Sequence, residues 1–165
     1  ELLEANSAIF INDSKKFMSI ISMLNLIEFC FLENESEKEL FIKSYELIKD
    51  ILNSKNCWLE DYVKWELLLL NKIGYGLQLN RCIVSNSIKN LVFVSPKSGC
   101  AVSRTVAAGY EKKLLTLPEF LISGKSPSLQ NIREGLSLTT FFLIKFAKSI
   151  NKSLPFTREY FIDSI

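Results

Sequence analysis

The sequence predicts a mainly α fold: a helical bundle with a small β-hairpin inserted in it. Three observations carry that prediction. Trp58, Tyr62, Trp65, Leu69 and Ile73 recur at steps of four, three, four and four, which places large apolar side chains on one helix face. Leu138, Phe141, Phe142, Phe146 and Ile150 repeat the pattern in a long segment, residues 128–150. Between these two segments the chain changes character: "LVFVS" and "CAVS" are β-prone and flank the turn sequence "SPKSG".

In chain order, residues 1–12 contain a short apolar alternation, "SAIFIN", that reads as the last strand of something upstream. The first residue is Glu1 rather than Met, so a fragment with a preceding segment is expected. Asp13 or Ser14 is suited to cap the helix that follows, to about Leu32. Ser19, Ser22, Asn25 and Glu28 interrupt its apolar run every three residues, as in a buried core helix rather than a membrane span of about 20 apolar residues. The acidic connection "ENESEKE" opens a second helix to about Leu52, "NSKNC" breaks the chain again, and a third helix starts near Trp58. It stops at "IGYG", with Gly74 or Gly76 as the C-cap glycine. After the hairpin, residues 104–114 are expected to return to helix, "TLPEFL" to make a helical turn and "SGKSPS" a loop. Pro155 then suits the start of a short last helix.

Apolar residues make up 48% and charged residues 23% of the 165, as in an ordinary globular domain with enough chain for a core. Net charge is +2, but residues 1–60 carry eleven acidic and six basic side chains, a net of −5, and residues 61–165 carry a net of +7. That polarity suggests that the second part meets a negative partner, nucleic acid or an acidic peptide. The four cysteines lack framework spacing and are expected reduced, in the cytoplasm. There is no histidine, which removes Ser-His-Asp and Cys-His catalysis and the commonest zinc ligand. No phosphate-binding glycine motif is present. No catalytic residue is assigned, no cofactor is implied, and no enzymatic activity is expected.

Cys82 stands directly after the helix-ending glycines, in Cys82-Ile-Val-Ser85. It is half a metal knuckle, a nucleophile or a buried thiol. Structural zinc wants four ligands, and a second knuckle beyond the hairpin would fall on Cys100, Ser103 and Val106. Cys82 and Cys100 alone do not hold structural zinc, and a nucleophile would lack its histidine, so a small buried side chain is the preferred reading.

"WELLLLNKIGYGLQLNRC", then "LVFVSPKSGCAVSR", then "LLTLPEFL", with "INKSLPFTREYF" near the end, resembles the C-terminal domain of the RecO family of recombination mediators. In that family the Gly-Tyr/Phe-Gly helix end leads into a Cys-x-x-Cys, a Ser-Pro-x-x-Gly-Gly hairpin and a second Cys-x-x-Cys. The resemblance spans essentially the whole chain and is most specific over residues 65–121. It implies that residues 1–12 are the last strand and linker of an absent N-terminal OB-fold, and that residues 13–165 are the helical domain, with a degenerate zinc-knuckle-like insertion over 80–106. It also places Cys82, Ser85, Ser103 and Val106 at the four ligand positions. With one ligand in four kept, no metal is expected, as in some branches of the family, and Val92, Val94 and Val102 become the expected packing of the hairpin.

The resemblance implies a non-enzymatic role in DNA repair and homologous recombination, in the RecF pathway. RecO-like proteins anneal complementary strands and, with RecR, help load RecA onto strands coated by single-strand-binding protein. The implied partners are single- and double-stranded DNA, the acidic, Phe-ended tail of the single-strand-binding protein, and RecR, with no membrane. Lys64, just before "W-E-L", matches a basic position implicated in tail binding. For DNA, Lys145, Lys148 and Lys152 form a basic stripe, followed by Arg158, with Arg104 and Lys112/Lys113 secondary. A stripe without interleaved aromatics suits phosphate contact rather than base reading. The alternative is a helical protein-interaction module that has lost DNA binding.

Overall fold

The computed structural model describes residues 13–31, 37–53 and 57–165. The strand expected within residues 1–12 lies outside them. Helix α1 spans Ser14–Cys30, α2 Lys38–Leu52, and α3 Trp58–Lys72. A sheet of β1 (Gln78–Cys82), β2 (Leu91–Val94), β3 (Cys100–Ser103) and β4 (Leu115–Thr116) follows, with the short helix α4 (Arg104–Ala107) inside it. Helices α5 (Phe120–Ser123), α6 (Leu129–Ser149) and α7 (Phe156–Asp163) close the chain.

The Asp13 carboxylate caps α1 by accepting from the Lys16 amide at 3.2 Å. The polar stripe of α1 turns inward through Asn25, and Glu28 at its end stays exposed. Ser19 and Ser22 are fully buried, while Phe17 and Leu24 are exposed. Short side chains on this face let α7 come close, and the buried polar groups find partners. The Tyr62 hydroxyl donates to Ser22 Oγ at 2.9 Å, and Asn25 Nδ2 donates to Thr157 Oγ1 at 3.0 Å. On α2, Ser44 Oγ receives the Trp65 indole N–H at 2.9 Å.

The aromatic face of α3 is the centre of the core: Trp58, Tyr62, Trp65 and Leu69 are all buried. Tyr62 and Phe161 of α7 meet with ring centroids 4.6 Å apart. The helix ends in a Schellman arrangement, with the Tyr75 amide donating to Leu70 O at 2.8 Å and the Gly74 amide to Asn71 O at 3.2 Å. Gly74, with φ +82°, is the capping residue. Gly76 serves a close approach instead: a Cβ there would stand 2.6 Å from Asn71 Nδ2.

The hairpin forms as expected, β2 antiparallel to β3, closed by a turn in which Gly99 has φ +71°. Val94 and Val102 are buried and Val92 is half-buried. Two further strands make the sheet four-stranded in the order β1-β3-β2-β4, with β1 parallel to β3. Residues 104–114 do not form one helix. Helix α4 ends at Ala107, Gly109 takes φ +82°, and only a 3-10 turn, Glu111–Lys113, follows. A left-handed residue cannot continue a right-handed helix, and this one divides the segment.

Helix α6 opens with a capping box between Ser128 and Asn131. Its inner face runs through Ile132, Leu136, Thr139, Phe142, Leu143 and Ala147. Leu138 is buried as expected, but Phe141 and Ile150 are exposed. The face is centred on Thr139 rather than on the phenylalanines. Gly135 lets α6 close on α3, since a Cβ there would stand 2.9 Å from Val63 Cγ1.

Candidate functional site

The C-terminal half of α6 and the segment that leads into α7 carry the basic residues singled out from the sequence. Lys145, Lys148 and Lys152 are all exposed. Lys148 and Lys152 line one groove between α6 and α7, about 690 Å³ in volume, whose apolar surface includes Ile144, Leu154 and Ile162. Glu159 and Asp163 border it on the α7 side. Lys145 faces the hairpin: its ammonium donates to the carbonyls of Pro96 and Lys97 at 3.2 and 3.1 Å. The turn that carries the exposed Lys97 is thereby held against α6 at Lys145. Arg104, Lys112 and Lys113 are exposed on α4 and the 3-10 turn, and none of them lines the groove.

Arg158 is corrected by the structure. It is only 2% exposed and lies beneath the groove. Its Nε donates to Glu66 Oε1 at 2.7 Å and its Nη2 to Glu66 Oε2 at 2.9 Å, a forked pair with a carboxylate that is wholly buried. Nη1 donates to Thr140 Oγ1 at 2.8 Å, and the Thr139 hydroxyl donates to Glu66 Oε2 at 2.5 Å. Burial opposes the guanidinium charge, but the Glu66 carboxylate outweighs it and shifts Arg158 further toward the protonated form. Burial, and then the same carboxylate, push the Tyr62 phenol up. Arg158 is thus a core cation that ties α7 to α3 and α6 and is not presented to phosphate. Glu66 went unnoticed in the sequence. The signal was there: it falls four residues after Tyr62 and three before Leu69, on the face that is otherwise apolar. A carboxylate on a core face requires a cation.

Lys64 is exposed on α3 and bridges to Glu60 at 2.5 Å. It borders a cleft between α2 and α3 with Trp65 and Leu68. Lys43 is the other base there, against four carboxylates, those of Glu39, Glu46, Asp50 and Asp61. The cleft offers an apolar anchor point in acidic surroundings.

The positions that the resemblance assigns to a metal also come together in part. Cys82 is buried, its sulfur accepts from the Ser103 amide at 3.3 Å, and the hydroxyls of Ser85 and Ser103 lie 3.5 Å apart. Burial raises the Cys82 thiol pKa, but the donors of Ser85 and Ser103 outweigh it and bring it down to about 6. One thiol, two hydroxyls and the side chain of Val106 do not fit a tetrahedral zinc site. Among the described residues no three His, Cys, Asp or Glu side chains are grouped as metal ligands, and no helix is long and apolar enough to cross a membrane.

The family model described as "Recombination protein O C terminal" matches residues 11–145. A protein of Orientia tsutsugamushi (strain Ikeda) named DNA repair protein RecO is 37% identical, over 100% of this chain and 68% of its own length. The protein of that name from Rickettsia bellii (strain OSU 85-389) is 36% identical over the same shares. That from Rickettsia peacockii (strain Rustic) is 35% identical over 99% of the chain. No solved structure matches.

Proposed function

The chain belongs to the recombination protein O C-terminal family, and from that premise we propose that it is the helical domain of a DNA repair protein, acting in the cytoplasm as a recombination mediator without enzymatic activity. Its DNA contact is the face formed by Lys145, Lys148 and Lys152, with Arg104 as an outlying contact. The observation that carries this reading is the tether of Lys145 to the hairpin turn, which sets Lys97 next to the Lys145 end of the stripe. A cluster of ammonium groups on two rigid elements suits a phosphate backbone, single- or double-stranded, and reads no bases. The remaining roles are strand annealing, cooperation with RecR, and loading of RecA on strands coated by single-strand-binding protein. For the tail of that protein, Lys64 and Lys43 are the cations, with Trp65 and Leu68 as the apolar floor. The carboxylates around them oppose an acidic ligand, and the withdrawal of Arg158 shrinks the basic set. The second of these observations favours the second reading, a protein-interaction module without DNA binding; the first counts against the tail contact alone.

Fluorescence anisotropy of a labelled single-stranded oligonucleotide at several salt concentrations tests the first reading. Each neutralised phosphate contributes a slope of about −0.7 in log affinity against log salt for single strands. The double variant Lys148→Ala/Lys152→Ala is expected to bind more weakly and to flatten the slope by about 1.4, twice the single-strand value. Equal slopes for the two proteins, or affinity independent of salt, would sink the assignment.

A further inference from the structure

A second cleft, about 410 Å³, runs between α1 and α2 and contains none of the residues assigned above. Its two walls share a pattern. On α1 it is lined by Leu24, Ile27, Glu28 and Phe31, and on α2 by Glu37, Leu40, Phe41, Ser44, Tyr45 and Ile48. Both sets recur at steps of three and four, the spacing of a helix seam. The core uses only part of this surface. Leu40 is buried, but Phe41 is 72% exposed, and Leu24 and Tyr45 are about half exposed. An adjoining exposed group of this size, which includes two aromatics, is unusual unless something packs on it.

The charges at its edges select what packs there. Among the described residues, the two charged side chains that line the cleft are both carboxylates: Glu28, and Glu37, which Lys72 reaches at 3.4 Å. Lys49 lies 4.5 Å over the Tyr45 ring, outside the lining. From Glu37 to Ile48 the α2 wall is ~16 Å long at 1.5 Å per residue, about three helical turns.

We propose that this cleft docks a partner helix of about three turns whose apolar seam is flanked by lysine or arginine. The seam lies across Phe41, Tyr45 and Leu24 as a third helix against α1 and α2. The flanking cations meet Glu28 and Glu37. This surface selects the opposite charge from the lysine face of α6, so the two faces recruit different partners.

The test uses the intact protein and a fluorescein-labelled probe peptide with leucine at steps of three and four and lysine on both flanks. A twin peptide carries glutamate in place of each lysine. The lysine peptide is expected to bind saturably. Phe41→Ser and Glu28→Lys are each expected to weaken it at least about tenfold, as for loss of a central anchor and of a desolvated charge contact. The glutamate twin is expected to bind at least about tenfold less tightly. Phe41 and Glu28 are both exposed, so the folded state does not depend on either. Four results would overturn the proposal. One is no saturable binding, and another is equal binding of the twin. A third is binding indifferent to both substitutions. The fourth is a dimer that Phe41→Ser turns into a monomer, since the occupant would then be a second copy of the chain.

Discussion

Replacing Arg158 by methionine removes the cation from beneath a wholly buried carboxylate. Glu66 then keeps only the Thr139 hydroxyl of its present donors. Breaking a buried pair from one side costs about 3–5 kcal/mol, because the remaining charge stays in low dielectric. Against a total stability of about 5–15 kcal/mol for a domain, that is a large share. Glu66→Gln removes the charge from the other side and should cost a similar amount. The double variant Glu66→Leu/Arg158→Met removes both charges at nearly constant volume, and should recover most of the loss. Urea unfolding followed by the fluorescence of Trp58 and Trp65, both on α3, reads all three variants against the parent. The reasoning fails if Arg158→Met shifts stability by less than about 1 kcal/mol, the range of an exposed pair. It fails doubly if that variant loses DNA affinity while staying stable, because Arg158 would then be the surface phosphate ligand that the sequence suggested.

Gly135→Ala gains about 1 kcal/mol in helix propensity but puts a methyl group 2.9 Å from Val63 Cγ1, a crowding that costs about 1–3 kcal/mol. A net loss of thermal stability is expected, and a net gain would mean that α3 and α6 are not in close contact there. Lys64→Ala breaks only an exposed pair with Glu60 and should change the unfolding free energy by no more than about 1 kcal/mol. A larger loss would place Lys64 in the fold rather than at a binding surface. The Cys82 thiol is lowered from 9.0 to about 6. Its folded pKa is depressed, so the stabilisation is fully present above pH 9, shrinks as pH falls, and is gone below about 6. The gap in urea midpoint between the parent and Cys82→Ala should therefore widen from pH 6 to pH 8, and a gap that stays flat would refute the thiolate.

The helices were legible because their caps and faces are local. Asp13, Ser128 and Gly74 each do at the helix ends what their chemistry requires. The hairpin was legible for the same reason, since "SPKSG" between two β-prone runs is a turn signal. Strands β1 and β4 were not, because each pairs with a strand distant in sequence and neither carries a strong alternation of its own. The inner face of α6 was misjudged because bulk was weighed above complementarity. Thr139 sits at the centre because it donates to Glu66, while Phe141 faces out. Arg158 was misplaced for a related reason. A basic residue near a lysine stripe reads as part of it until the carboxylate on another helix is known. The direction of the α1 stripe depended on Tyr62 and Thr157, its partners at long range.

Amide hydrogen exchange of the intact protein, with and without a single-stranded oligonucleotide, tests the proposed DNA face most directly. The account predicts that DNA slows exchange in the C-terminal end of α6, in the segment through Lys152, and in the hairpin turn pinned by Lys145. Slowing confined to α2 and α3, or to no part of the described domain, would contradict it.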